Sequence, residues 1–73
     1  MKTSEVIKKR RALLKMSMKQ LSELVGVSEA TVSRWESGHI GNMRIDHLRA
    51  LAPALQMSLD ELVFGNGGDH GQG

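Results

Sequence analysis

In this 73-residue chain the side chains best placed for chemistry lie on one short stretch, from Ser28 to Gly38. At helical spacing Glu29, Ala30, Ser33, Arg34 and Ser37 point outward, while Val32, Trp35 and Glu36 point inward. An outer face of small, polar and basic groups offers hydrogen bonds without bulk, which suits entry into a groove. Just upstream runs a basic cluster, Lys8, Lys9, Arg10 and Arg11, followed by Lys15 and Lys19. Standing alone such a run is a solvated helix face, so its weight comes from its neighbour. No nucleophile stands beside a base, no carboxylates are paired for catalysis, and no glycine loop joins a strand to a helix. The chain is therefore not expected to be an enzyme. His39, His47 and His70 are irregularly spaced and lack the cysteines or acids of a ligand set, so neither a metal nor another cofactor is expected.

The elements that position this face are written in local signals. Ser17 and Gln20 have capping-box spacing and open a helix at about Met18, whose apolar face is Leu21, Leu24 and Val25. Gly26 ends it where φ > 0 is needed, Val27 plugs the core, Ser28 caps the next helix and Gly38 closes that one. Ahead of this pair, Thr3 or Ser4 caps a first helix reaching about Lys15, with Glu5 in its first turn. Ile7, Arg11 and Leu14 share its inward row, so a charge interrupts the apolar stripe. Either Arg11 finds a buried acid, for which Glu36 is the candidate, or it snorkels to water at the stripe's edge. Lys15 or Met16 must then turn the chain without a glycine, at a cost on the order of a kcal/mol if either becomes left-handed.

Beyond Gly38, the segment HIGNMR reads as a loop. A fourth helix is expected from Ile45 to Gln56, with Ile45, Leu48, Leu51, Ala52 and Leu55 inward and a kink near Arg49 to Ala52 imposed by Pro53. Ser58 and Glu61 form a second capping box for a short fifth helix that packs Leu59, Leu62, Val63 and Phe64 inward. Residues 65–73, GNGGDHGQG, hold nothing to bury and are expected to be a disordered tail or linker, leaving a single domain over 1–64. The formal charge is only +2, and with a pI near 9.4 the distribution of charge, concentrated in the run from Lys8 to Arg11, says more than the sum. With no cysteine, no membrane-length apolar run and no signal-peptide core, a soluble intracellular protein is expected.

The pattern Gln20-Leu21-x-x-Leu24-Val25-Gly26-Val27-Ser28-x-x-Thr31-Val32-Ser33-x-Trp35-Glu36-x-Gly38 resembles the helix-turn-helix of the phage lambda-type repressor and Cro family. The resemblance runs from about Val6 to Phe64, and the loop wording GNMRID is common in such repressors. It implies an all-α, five-helix, lambda-repressor-like domain with its helix-turn-helix at about residues 18–37. It also implies a third helix that reads the major groove of double-stranded DNA, as a homodimer on a palindromic operator.

Carried over by position, the base-reading residues are Glu29, Ala30, Ser33 and Arg34. Arg34 suits guanine O6 and N7, Ala30 a thymine methyl, and Ser33 either kind of contact; Glu29 either accepts from cytosine N4 or serves the helix dipole. Phosphate contacts fall to Met18, Lys19, Thr31, His39, Asn42 and Arg44. Met18 departs from the glutamine common at its position, so any contact there is made by the main chain. A homodimer would use the exposed parts of helices four and five near Met57, Val63 and Phe64. The implied role is a transcriptional regulator, a repressor in the cytoplasm of a bacterial or phage-infected cell. The rival reading is a module that clamps a protein partner, as an antitoxin does.

Overall fold

The computed structural model describes residues 2–64. They form five helices: α1 Thr3–Leu13, α2 Met18–Val25, α3 Glu29–Glu36, α4 Ile45–Ala54 and α5 Leu59–Phe64. The residues 65–73 expected to form a tail lie outside the described part. The all-α, five-helix expectation holds, with the helix-turn-helix formed by α2 and α3.

None of these helices is long enough to be stable alone, so tertiary packing must hold them. α2 packs on both α3 and α4, α1 bridges α3 and α5, and α4 rests on α5. Ile7, Leu21, Val32, Trp35, Leu51, Leu55 and Leu62 have no exposed surface, so all five helical segments feed one core. Met16, Met18, Val25, Val27 and Leu48 pack around it half-buried. Ser22 is buried beside Leu21 and turns its hydroxyl back to donate to the Lys19 carbonyl at 2.7 Å, which lets α3 approach α2 without an unpaired polar group.

The starts of α2, α3 and α5 follow the sequence signals. Ser17 Oγ accepts from the Gln20 N–H at 3.0 Å while the Gln20 side chain takes the Ser17 N–H at 2.8 Å. Ser58 and Glu61 repeat that reciprocal pair, and Ser28 Oγ accepts from the Thr31 N–H. The start of α1 differs from expectation. Lys2, not Thr3 or Ser4, is its N-cap, and the Glu5 carboxylate reaches back to the Lys2 N–H at 3.2 Å.

The ends of α1, α3 and α4 share one backbone device. The residue just past the cap turns left-handed, and the next N–H reaches back five residues: Met16 to Arg11, His39 to Arg34, Met57 to Ala52. Gly38 supplies the left-handed residue at φ +100° for α3, but Lys15 and Gln56 supply it at +56° for α1 and α4. The turn at Lys15 therefore stops α1 at Leu13, and the turn at Gln56 stops α4 at Ala54, two residues before each expected end. Gly26 closes α2 at φ +87°. Pro53 falls in the last turn of α4, so its missing N–H removes only the one helical bond to the Arg49 carbonyl, and the Leu55 N–H still bonds Leu51 at 2.9 Å.

Several apolar residues expected inside are exposed: Leu24 in α2, Ile45 in α4, and Val63 and Phe64 in α5, with Phe64 66% exposed. Helical periodicity assigns a face, yet a core this small covers only its centre.

Candidate nucleic-acid interface

α3 begins at the Ser28 cap and lays Val32 and Trp35 into the core, which turns Glu29, Ala30, Ser33 and Arg34 out to solvent. Among the described residues the Arg34 side chain has no hydrogen-bond or ion-pair partner, whereas its carbonyl is taken by the N–H groups of Ser37 and His39. The guanidinium is thus presented with all its donors free. Thr31 is half-buried, and its hydroxyl pairs with Ser28 Oγ at 2.9 Å, so it belongs to the cap before it can serve a ligand.

At the start of α2, the N–H groups of Met18 and Lys19 find no acceptor among the described residues, since Ser17 Oγ serves Gln20 and its carbonyl serves Leu21. Free N–H groups at a helix start favour an anion, and Lys19 is exposed beside them. The Met18 side chain packs half-buried against the core, which leaves only its main chain for such a contact.

His39, Asn42 and Arg44 are all exposed on the loop that leaves α3. That loop is pinned to Trp35 from two sides. The Trp35 indole N–H donates to Asn42 Oδ1 at 3.4 Å, and the Trp35 ring lies 5.1 Å from the imidazole of His47, tilted by 53°. His47 Nδ1 in turn accepts the main-chain N–H of Arg44 at 3.0 Å. An indole only donates, so the Asn42 atom facing it is the oxygen, and the Asn42 amide hydrogens are left for another partner.

The basic run divides unexpectedly. Lys8 and Lys9 are exposed, but both arginines face inward. Arg11 places Nε and Nη2 on the two carboxylate oxygens of Glu36, at 2.5 and 2.9 Å, and Nη1 on the Met16 carbonyl at 2.8 Å. Only 16% of the Arg11 side chain and 4% of the Glu36 side chain remain exposed. The hydrogen bond to Glu36 raises the Arg11 pKa above its usual value; burial works against this and the Glu36 charge with it. Arg10 donates to the carbonyls of Leu55 and Gln56 at 2.8 and 2.9 Å and so ties the end of α4 to α1. Sequence reasoning gave Arg10 no such role, because its acceptors are main-chain atoms that any side chain could carry. The Trp35, Asn42 and His47 cluster was also missed; its one local signal is the three-residue spacing of Arg44 and His47 across a helix start.

Among the described residues no group of histidines, cysteines and acids could hold a metal ion, and no helix is long and apolar enough to cross a membrane.

A family profile described as helix-turn-helix matches residues 7–62. Among solved structures, the P22 c2 repressor protein in complex with a synthetic operator superposes with a TM-score of 0.83 at 36% identity, over 90% of this chain and 98% of that one. The solution structure of the P22 c2 repressor DNA-binding domain gives 0.78 at 37% identity, over 85% and 80% of the two chains. Hydroxypropylphosphonic acid epoxidase from S. wedmorenis gives 0.76 at 33% identity, but the match takes in 84% of this chain and only 32% of the enzyme. What is shared with that enzyme is a helical part of it. No curated protein matches the sequence significantly.

Proposed function

The chain belongs to the helix-turn-helix family of repressor DNA-binding domains, and on that premise we propose that it is a sequence-specific regulator of transcription, a repressor of phage or bacterial type that acts in the cytoplasm. The reading rests most on Arg34: an exposed guanidinium without an internal partner, on a helix whose neighbouring outward positions, Ala30 and Ser33, are small. With α3 in the major groove of double-stranded DNA, Arg34 donates two parallel bonds to guanine O6 and N7. Ala30 meets a thymine methyl, Ser33 bonds a neighbouring edge, and Glu29 accepts from a cytosine amine.

Position along the duplex is fixed by phosphates. The free N–H groups of Met18 and Lys19, the Lys19 ammonium and the exposed His39, Asn42 and Arg44 supply donors, with Thr31 at the margin. Two copies related by a two-fold axis would read a palindromic operator, and the exposed Val63 and Phe64 of α5, with Met57 nearby, offer apolar surface for that pairing. Occupancy of a promoter by such a dimer represses it.

The test is a comparison of Arg34→Ala with the unaltered chain on a selected duplex and on a random one. Loss of about 1–3 kcal/mol on the selected duplex, with relaxed preference at one base pair, is expected. Equal loss on both duplexes removes Arg34 as a base reader. A chain that binds neither duplex but captures a protein supports the rival reading as a partner-binding module.

A further inference from the structure

We propose that His47 and Asn42 are positioning residues for DNA contact, holding the loop between α3 and α4 in register with α3; this rests on the DNA-binding reading above. Like α1, which begins on Lys2, α4 begins on a basic residue whose side chain caps nothing, with its main-chain N–H held by the side chain three residues on. α2, α3 and α5 each open on a serine whose hydroxyl accepts a main-chain N–H of the first turn. α4 opens on Arg44, whose guanidinium has no acceptor atom, and the bond at that start is the one from the Arg44 N–H to His47 Nδ1. The main chain of Arg44, and with it the root of its exposed side chain, is therefore located by the imidazole.

The imidazole is itself located by α3. Its ring lies against Trp35, which has no exposed surface and shares the helix with Ser33 and Arg34. The same indole fixes the middle of the loop through Asn42 Oδ1. Trp35 thus ties both Asn42 and the start of α4 to the helix that carries the outward residues. The loop carries His39 and Arg44 toward the phosphates, and a loop held at two points loses less conformational freedom on binding than a free one. Asn42 is then chiefly a link to Trp35, with its amide hydrogens as a secondary donor.

Three variants of the full chain test this: His47→Leu, which fills space against Trp35 but accepts nothing; His47→Asn, whose Oδ1 can stand where Nδ1 stands; and Trp35→Phe, which keeps an aromatic ring and removes the indole N–H. Affinity for a duplex selected from a random pool is measured across a salt series, at a temperature where circular dichroism finds every variant folded. His47→Leu and Trp35→Phe should each weaken binding roughly two- to tenfold, the range set by one lost hydrogen bond. They should also flatten the dependence of log K on log salt by about one, as for a phosphate contact no longer held. His47→Asn should restore both quantities. A bond that served folding alone would change the melting temperature and leave the salt slope as it was. Wild-type affinity and slope in folded His47→Leu, or failure of His47→Asn to restore them, overturns the proposal while leaving the DNA-binding reading intact. A wild-type chain that selects no duplex overturns both.

Discussion

Replacing Arg11 with methionine should be the most damaging single change among the charged residues of α1. Methionine keeps the length of the stem but removes two bonds to Glu36 and one to the Met16 carbonyl. The Glu36 carboxylate, with 4% of its side chain exposed, is then left in the protein without its cation. Truncating one partner of a buried pair costs about 3–5 kcal/mol, and because part of the Arg11 side chain reaches water, the low end, about 3 kcal/mol, applies here. A domain of this size has a total stability of roughly 4–11 kcal/mol, so the variant gives up a quarter of it or more. Glu36→Leu should cost less, about 1–2 kcal/mol, since the longer Arg11 can swing its head to solvent. The double variant should regain most of the loss from Arg11→Met, because no charge is then stranded. Urea unfolding followed by fluorescence of Trp35, the one tryptophan and fully buried, measures all four corners of the cycle. A cost below about 1 kcal/mol for Arg11→Met, or strict additivity of the two single changes, refutes the reasoning.

Lys19→Ala should weaken selected and random duplexes alike and reduce the salt slope by about one, in contrast to Arg34→Ala, which should act on the selected site; titrations of both variants on both duplexes separate the roles. Gly26 and Lys15 both have positive φ, and beyond its own chain neighbours nothing lies within 4 Å of a Cβ built on Gly26, so Gly26→Ala should cost about 1–2 kcal/mol from backbone strain alone. Lys15→Gly should act the other way, raising the stability measured by urea unfolding by less than about 1 kcal/mol, since glycine also loosens the unfolded chain. The Ser58 N–H, then its hydroxyl, hold the Glu61 carboxyl below its ordinary 4.5, with Arg10 adding to the effect. A depressed pKa stabilises the fold above the unfolded value and is lost as pH falls through the folded one. Acid unfolding below pH 4.5 should therefore become shallower in Glu61→Gln.

The legible parts of this fold were the ones encoded within three or four residues. The Ser17 and Ser58 boxes and the glycines at 26 and 38 are local events, and each appears at its expected position; of the two residues offered for the first turn, Lys15 takes it. Arg11 was legible for a different reason, because a charge on an apolar stripe demands an acid and Glu36 stood on the inward side of α3. That Glu29, Ala30, Ser33 and Arg34 share the exposed side of α3 follows from the same periodicity.

Distant links to main-chain atoms left no mark in the sequence. Arg10 crosses 45 residues to the Leu55 carbonyl, and nothing about leucine announces that acceptor. The turn at Gln56 was hidden because glutamine is an ordinary helix former, and so α4 was drawn too long. Leu24, Ile45, Val63 and Phe64 failed in another way: the helical period gives the direction of a side chain, while the width of the buried stripe depends on which neighbour covers it. The link from Trp35 to Asn42 and His47 needs the loop path, which no local pattern specifies.

The central claim, that α3 reads a two-fold DNA site through Arg34, is tested most directly by selecting bound duplexes from a random pool with the full chain and repeating the selection with Arg34→Ala. A palindromic consensus with a guanine in each half-site, whose preference disappears in the variant while the rest of the consensus survives, is the predicted result. A pool that stays random with the unaltered chain, or a consensus unchanged by the loss of Arg34, contradicts it.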